Sequence, residues 1–353
     1  MENNKKIKLL IVSHRPFKIP KGEIFVPIHA GRAIACCKTK DGCINKKDLD
    51  WLITNTIGDE TGNNISIKNR MYCECSALYW AWKNYDKLEN PDYIGLMHYR
   101  RHFIFNEAFY NNYDKSKWED ALAYIEVPFI DNNYQSMTGL NDNKIITDCS
   151  KYDLIVTKDA KLNLIHNRNI RQDYIETIPG VKVKDFDLML NHVKEKYPKI
   201  YNCSKEKIKG YNKSLYQMFI MKKEYFFEYC NFLFDILGEI EKVEDFSSYS
   251  VNGKRTLGYL AENLLSMFVW TKEQEKAKIL KLGVTLVDYP YEISEIKNLL
   301  EKKPPSYFEY LIYKIYYLLS DKSKKQIIKE KYTKIKNERK SYKKLKKVIH
   351  QYK

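Results

Sequence analysis

The 353-residue sequence has no C-x-x-C pair among its 8 cysteines and only 13 glycines. Without two thiols at that spacing, the zinc-ribbon and thioredoxin patterns fall away. G-x-x-x-x-G-K-[ST] and G-x-G-x-x-G are both missing, so no P-loop or dinucleotide cradle is encoded. G-x-S-x-G and H-E-x-x-H are missing too, which sets aside α/β-hydrolase and zincin chemistry. No apolar run reaches the roughly 18–20 residues that span a bilayer. Residues 1–10 are polar and lysine-rich, unlike the core of a secretory leader. These absences predict a chain without membrane spans, working in the cytoplasm, with Cys36, Cys37, Cys43, Cys73, Cys75, Cys149, Cys203 and Cys230 reduced and mostly buried.

Net charge is also small over most of the chain. The formal net charge is +16, yet residues 321–353 alone carry +11, from 13 Lys and 1 Arg against 1 Asp and 2 Glu. The other residues carry +5, so the basic character belongs to the tail. Apolar residues make up 44%, enough for a sizeable core. Two parts are expected: a main domain over residues 1–300, and a helical, basic extension over residues 301–353 that begins near Pro304-Pro305.

What is present alternates between strand and helix signals. Residues 8–13 (K-L-L-I-V-S) form an apolar run ending in His14-Arg15, and residues 25–28 a second one. Residues 59–64 are a turn cluster. Ala77, Leu78, Ala81, Trp82 and Tyr85 then repeat with a helical period, and Asn90-Pro91 stops it. Residues 93–97 (Y-I-G-L-M) are continuously apolar, as in a strand buried on both faces, and end in His98-Tyr99-Arg100-Arg101. Residues 131–150, rich in Asn and Asp, read as loop, and residues 152–157 and 218–221 as strands. Residues 187–196, 226–240 and 257–270 read as helices, the first capped by Asp185 or Asp187. This order is that of an α/β domain around a mostly parallel sheet. Ligands of such sheets bind beyond the carboxyl ends of the strands, so His14, Arg15 and His98 to Arg101 should share one crevice.

Between residues 59 and 101 lies a dense polar and aromatic constellation. It includes Asp59, Asn64, Asn69, Glu74, Tyr79, Trp80, Trp82, Lys83, His98, Arg100 and Arg101. Aromatic faces stack on sugars and bases, carboxylates and amides grip hydroxyls, and guanidinium groups fork onto phosphate. That is the inventory of a nucleotide-sugar site. Of the two tryptophans, Trp82 follows the apolar stripe and is expected in the core, whereas Trp80 or Tyr79 is the better site wall.

Motifs in and before this stretch make the chain resemble a bacterial glycosyltransferase family of capsule and O-antigen loci, long recorded as a domain of unknown function. They are Val26-Pro27-Ile28-His29-Ala30-Gly31, D-E-T-G-N-N-I-S from Asp59, Tyr72-Cys73-Glu74, Tyr79-Trp80-Ala81-Trp82-Lys83-Asn84, and Y-I-G-L-M-H-Y-R-R from Tyr93. M-F-I-M-K-K from Met218 and G-Y-L-A-E from Gly258 follow later. The resemblance covers roughly residues 7–290 and implies a GT-A-like transferase using a UDP-sugar, with galactofuranose or another hexose as the moiety transferred to a glycan or lipid-linked acceptor. Donor contacts are expected from His14, Arg15, His29, Asp59, Asn64, Asn69, Glu74, Tyr79, Lys83 and Arg101.

Expelling a diphosphate requires positive charge, from a metal or from fixed cations. GT-A enzymes usually hold Mn or Mg with D-x-D after a buried strand. Here Asp48-Leu49-Asp50 and Asp185-Phe186-Asp187 both lack such a strand and read as helix caps or turns. No metal ligand is therefore assigned, and Arg100, Arg101 and His98 are expected to do some or all of that work. By strand alternation His98 and Arg100 would share one face. Glu262, which interrupts an apolar helix, is the expected base, with Glu74 and Asp59 as alternatives. Beyond the domain, residues 307–319 are aromatic and apolar nearly all round, and the basic tail follows. That pattern predicts docking on an anionic membrane surface at its cytoplasmic side. A nucleic-acid partner is disfavoured, because the aromatic cluster lies in the nearly balanced part of the chain. A non-catalytic carbohydrate-binding role would share the aromatics without needing the cations.

Overall fold

The computed structural model describes residues 5–37, 44–290, 306–319, 328–329, 331–340 and 342–343. Cys43, Pro304-Pro305 and most of the basic tail lie outside the described residues. The chain divides into two compact units, one from Met1–Val127 with Asn132–Pro290, the other from Pro128–Asp131 with Tyr291–Lys353. The strands, in chain order, are β1 (Ile7–Ser13), β2 (Phe25–His29), β3 (Ile57–Gly58), β4 (Tyr93–His98), β5 (Arg101–Phe103), β6 (Tyr124–Phe129), β7 (Leu154–Thr157), β8 (Ala160–Lys161), β9 (Asn212–Lys213), β10 (Phe219–Lys222), β11 (Ile279–Leu282) and β12 (Val284–Tyr289).

The continuous apolar runs form the centre of one large sheet. β1 and β4 pair in parallel, with Leu10 opposite Leu96. Leu9, Leu10, Ile11, Ile94, Leu96 and Met97 are all buried, because both faces of these strands are covered, and this is why their sequences do not alternate. β2 pairs with β1 and β3 with β2, again in parallel. Beyond β4 come β10, β7 and β11. β10 runs antiparallel to both neighbours, while β7 and β11 are parallel. β4, β1 and β10 close on Gly95. A Cβ there would lie 2.5 Å from Leu9 Cδ1 and 2.8 Å from the Phe219 carbonyl oxygen.

Helices Cys75–Lys83, Lys223–Val243 and Thr256–Gln274 belong to the main hydrophobic core of the first unit. The last is buried on nearly every side, hence its weak amphipathic pattern. Each fully buried Leu or Phe there contributes about 1.5–3 kcal/mol. Two expectations need correction. The helix expected to run to Asn90-Pro91 ends at Lys83, where the Asn84 side chain donates to the Trp80 and Asn63 carbonyls at 2.9 and 2.8 Å. Residues 131–150, expected as loop, contain helices Tyr134–Thr138 and Asp142–Lys151. Their polar residues are end signals: Asn141 Oδ1 accepts the Lys144 N–H at 3.0 Å, and Gly139 closes the first helix at φ 70°. In the second unit, residues 307–319 are helical, as their apolar pattern predicts.

Candidate functional site

β1 and β4 end side by side, with Val12 opposite His98. The His14 ring meets Tyr99 edge-on at 5.4 Å, so the polar exits of the two strands do adjoin. His14 and Arg15 are exposed there. The chain then reverses. Tyr99 and Arg100 form a two-residue turn, and His98 pairs with Arg101 across the β4–β5 ladder. Residues directly opposed in an antiparallel ladder project to the same side. His98 therefore shares a face with Arg101, which corrects the expectation that it would share one with Arg100. Arg100 is tied to β12 instead, its Nε donating to the Val287 carbonyl at 2.7 Å.

Around Arg101 the chain brings distant segments together. β10 is antiparallel to β4, so the residues that lead into it arrive at the same end of the sheet. Tyr216 offers its carbonyl to His98 Nε2 at 2.5 Å, and its ring lies 4.7 Å from the Arg101 guanidinium. Arg101 Nε is buried without a hydrogen-bond partner among the described residues. Glu74 stands at the start of the Cys75–Lys83 helix and Glu262 lies on the Thr256–Gln274 helix. Both are half-buried, and burial pushes both carboxyls above the usual range. Lys213 and Arg101 pull Glu262 back toward the charged form, while the Glu74 and Asp173 carboxylates push it further up. Glu74 is held back by its own N–H, Arg255 and Arg101.

Two further cations complete the cluster. Arg255 Nε lies 3.2 Å from Cys73 Sγ, and burial pushes that thiol up to about 11. Gly258 allows this approach, since a Cβ there would sit 2.8 Å from the sulfur. Lys213 is buried between Asp173, at 3.4 Å, and Asn263 Oδ1, also at 3.4 Å. Asp173 in turn meets His166 Nε2 at 3.3 Å. Cys73, Tyr216 and Gln217 hold φ values of 52°, 73° and 51°. Such backbone costs about 1–3 kcal/mol per residue and gathers at sites where geometry is imposed by function. Three cations facing two carboxylates that resist ionisation can bind an anionic group and take up a proton. His98 supplies no cation: burial, then Arg101, lowers its pKa to about 4, so it is neutral at pH 7 and serves as a hydrogen-bonding group.

Several expected donor contacts sit elsewhere. The Asp59 carboxylate is buried and accepts from the Gly31 and Arg32 N–H groups at 2.8 and 3.0 Å, and from the Ser66 and Ser76 hydroxyls. It binds the β2 exit to the following turn. Asn69 donates to the Cys73 carbonyl and to Ser76 Oγ, and Asn64 braces its own turn through the Glu60 carbonyl. His29 is buried, accepts from Arg32 Nε at 3.2 Å, and is pushed down to about 4 by burial and by Arg32. Tyr79 and Trp82 pack against Phe234, and Lys83 lies 3.3 Å from the Trp82 ring centre. Trp82 packs against the core as expected, but Trp80, expected as a site wall, is the more deeply buried of the two, its Nε1 donating to Thr61 Oγ1 at 3.1 Å.

The D-x-D triplets serve helix starts. Asp48 bonds its cap residue Asn45. Asp185 is buried against the Tyr249 hydroxyl at 2.7 Å, and Asp187 pairs with both ends of the Arg171 fork. Among the described residues no group of three or more His, Cys, Asp or Glu is gathered as a metal would require. No step is therefore derived through Mn or Mg. Sequence reasoning missed Arg255, Lys213 and Tyr216 as site residues. The available signal was position: Arg255 stands three positions before Gly258, which opens G-Y-L-A-E, and Lys213 and Tyr216 stand just before M-F-I-M.

The chain belongs to the family described as Domain of unknown function (DUF4422), whose model matches residues 8–275. No curated protein matches it. Among solved structures it is similar to the apo form of WbbM, a bifunctional glycosyltransferase, with a TM-score of 0.68 and 29% identity. The match covers 80% of this chain and 45% of that one, so this chain spans less than half of WbbM. The expected α/β fold with a mostly parallel central sheet is the one observed, and it is similar to that of a glycosyltransferase.

Proposed function

We propose that this protein is a glycosyltransferase that moves a sugar, galactofuranose or another hexose, from a UDP-sugar to a glycan or lipid-linked acceptor of a capsule or O-antigen polysaccharide. The observation that carries the reading is the cluster of Arg101, Arg255, Glu74 and Glu262 at the carboxyl end of β4, in a fold similar to that of a glycosyltransferase. In transfer with inversion, the acceptor oxygen bonds to the anomeric carbon as the bond from that carbon to the diphosphate oxygen breaks. The bond's electron pair leaves with UDP, and the acceptor hydroxyl proton passes to Glu262. Arg101, whose Nε has no partner among the described residues, meets the charge that grows on the diphosphate. Arg255 supports it. A base whose carboxyl is raised by burial takes a proton more readily near neutral pH than an exposed one.

The test is calorimetric titration with UDP in EDTA and with Mn, followed by a transfer assay with UDP-hexoses. Binding that survives EDTA and is lost in Arg101→Ala supports the reading. Binding that requires Mn refutes the role given to the arginines. Absence of UDP binding and of sugar transfer under both conditions refutes the transferase assignment and favours a carbohydrate-binding role.

A further inference from the structure

The second unit contains an antiparallel helical pair. Helix Tyr307–Leu319 lies against the helical residues 331–340, with Tyr310 stacked on Tyr332 at 5.5 Å and the Arg339 guanidinium 5.4 Å from the Tyr307 ring. The Tyr310 and Tyr332 hydroxyls are 3.3 Å apart. Tyr332, Ile335 and Arg339 recur at helical spacing, so one face of the second helix is turned toward the first and Ile335 is buried. Lys331, Lys334, Lys336 and Lys340 are left exposed, with Glu338 as the acidic residue among them. On the first helix Tyr307 is 61% and Ile315 51% exposed, with Lys314 beside the latter.

We propose that this pair, with the basic tail that continues from it, docks on an anionic lipid surface. Two features favour lipid over a nucleic acid. Residues 321–353 carry 13 Lys and only 1 Arg. Lysine is a point charge suited to a diffuse sheet of headgroups, whereas base and phosphate readout favours the arginine fork. The Tyr310 and Tyr332 rings are stacked on one another, which removes them as platforms for bases. The exposed Tyr307 and Ile315 supply the partly apolar contact that an interfacial helix makes at headgroup level.

Each lysine near an anionic surface strengthens partitioning roughly five-fold. Replacing four should weaken it by at least about 100-fold. The full chain is sedimented with phosphatidylcholine vesicles, with and without phosphatidylglycerol, at low and high salt. The expected result is capture only with phosphatidylglycerol, release by salt, loss in the Lys331→Gln/Lys334→Gln/Lys336→Gln/Lys340→Gln variant, and retention when the same four are Arg. Equal capture by both vesicles, or unchanged capture of the Gln variant, overturns the proposal. So does preferential binding of RNA added as competitor. The readout is independent of any transfer activity.

Discussion

Asp59 offers a direct test of the reasoning, because its motif suggests ligand contact while its surroundings assign it to structure. The carboxylate is fully buried and accepts two backbone N–H groups and two hydroxyls. Asp59→Ala leaves the Gly31 and Arg32 N–H groups without this acceptor and takes one partner from each of the two serine hydroxyls. Hydrogen bonds to a charged group contribute about 1.5–3 kcal/mol each, and orphaned buried donors cost about 1–3 kcal/mol. The contributions are not additive, and the serines can reorient, so a loss of about 3–5 kcal/mol is expected. For a folding unit of roughly 280 residues the entropy of unfolding is about 0.6 kcal/mol/K, which converts that loss to a fall of about 5–8 °C in Tm. Ser76→Ala removes one donor and should cost about 1 kcal/mol. Differential scanning fluorimetry measures both, and UDP titration well below the transition should give an unchanged Kd for folded Asp59→Ala. A variant that melts within about 1 °C of the wild type, or that folds normally but loses UDP, would refute the structural assignment.

Other outcomes follow from the same geometry. Glu262→Gln should lower transfer by about 10²–10⁴-fold while UDP binding persists, as checked by initial rates beside calorimetry. Lys213→Met removes the main attraction that keeps Glu262 charged and leaves Asp173 without its buried ion-pair partner. The acid limb of the transfer profile should move to higher pH and return in Lys213→Arg, and thermal melts should show a loss of about 3–5 kcal/mol for the Met variant. Glu74 and Glu262 bind protons more tightly in the folded chain, so the stability they contribute falls as pH rises through the window above 4.5. Glu74→Gln should therefore raise Tm at pH 8. His29 works in the opposite direction: its folded pKa of about 4 lies below 6.5, so stability present at pH 7 is lost as pH falls, by about 2 kcal/mol at pH 5. Urea melts of wild type and His29→Gln at pH 7 and pH 5 would show the difference.

Local patterns carried much of the architecture. An apolar run without alternation, such as residues 93–97, can be stable only between two covered faces, so β4 and its place in the centre of the sheet were legible from the chain. The pairing of polar strand ends, His14 beside Tyr99, followed from the parallel arrangement alone. Where one chemistry serves two purposes, the sequence was ambiguous. Asn141 reads as loop until the N–H it accepts is seen, because a side chain that caps a helix is the same one that favours a turn. Trp80 and Trp82 differ only in which face their helix turns inward.

The site itself depended on tertiary structure. A two-residue turn reversed the face on which Arg101 projects, and strand alternation cannot report where a strand stops. Glu74, Arg101, Lys213, Arg255 and Glu262 span nearly 200 positions and acquire a common electrostatic environment only because β10 enters antiparallel and the Thr256–Gln274 helix presents Glu262 to Glu74. Residue types and the order of elements were properties of the chain. Which charges face one another, and which are buried enough to resist ionisation, was decided by packing, since desolvation and proximity have no meaning until distant segments meet.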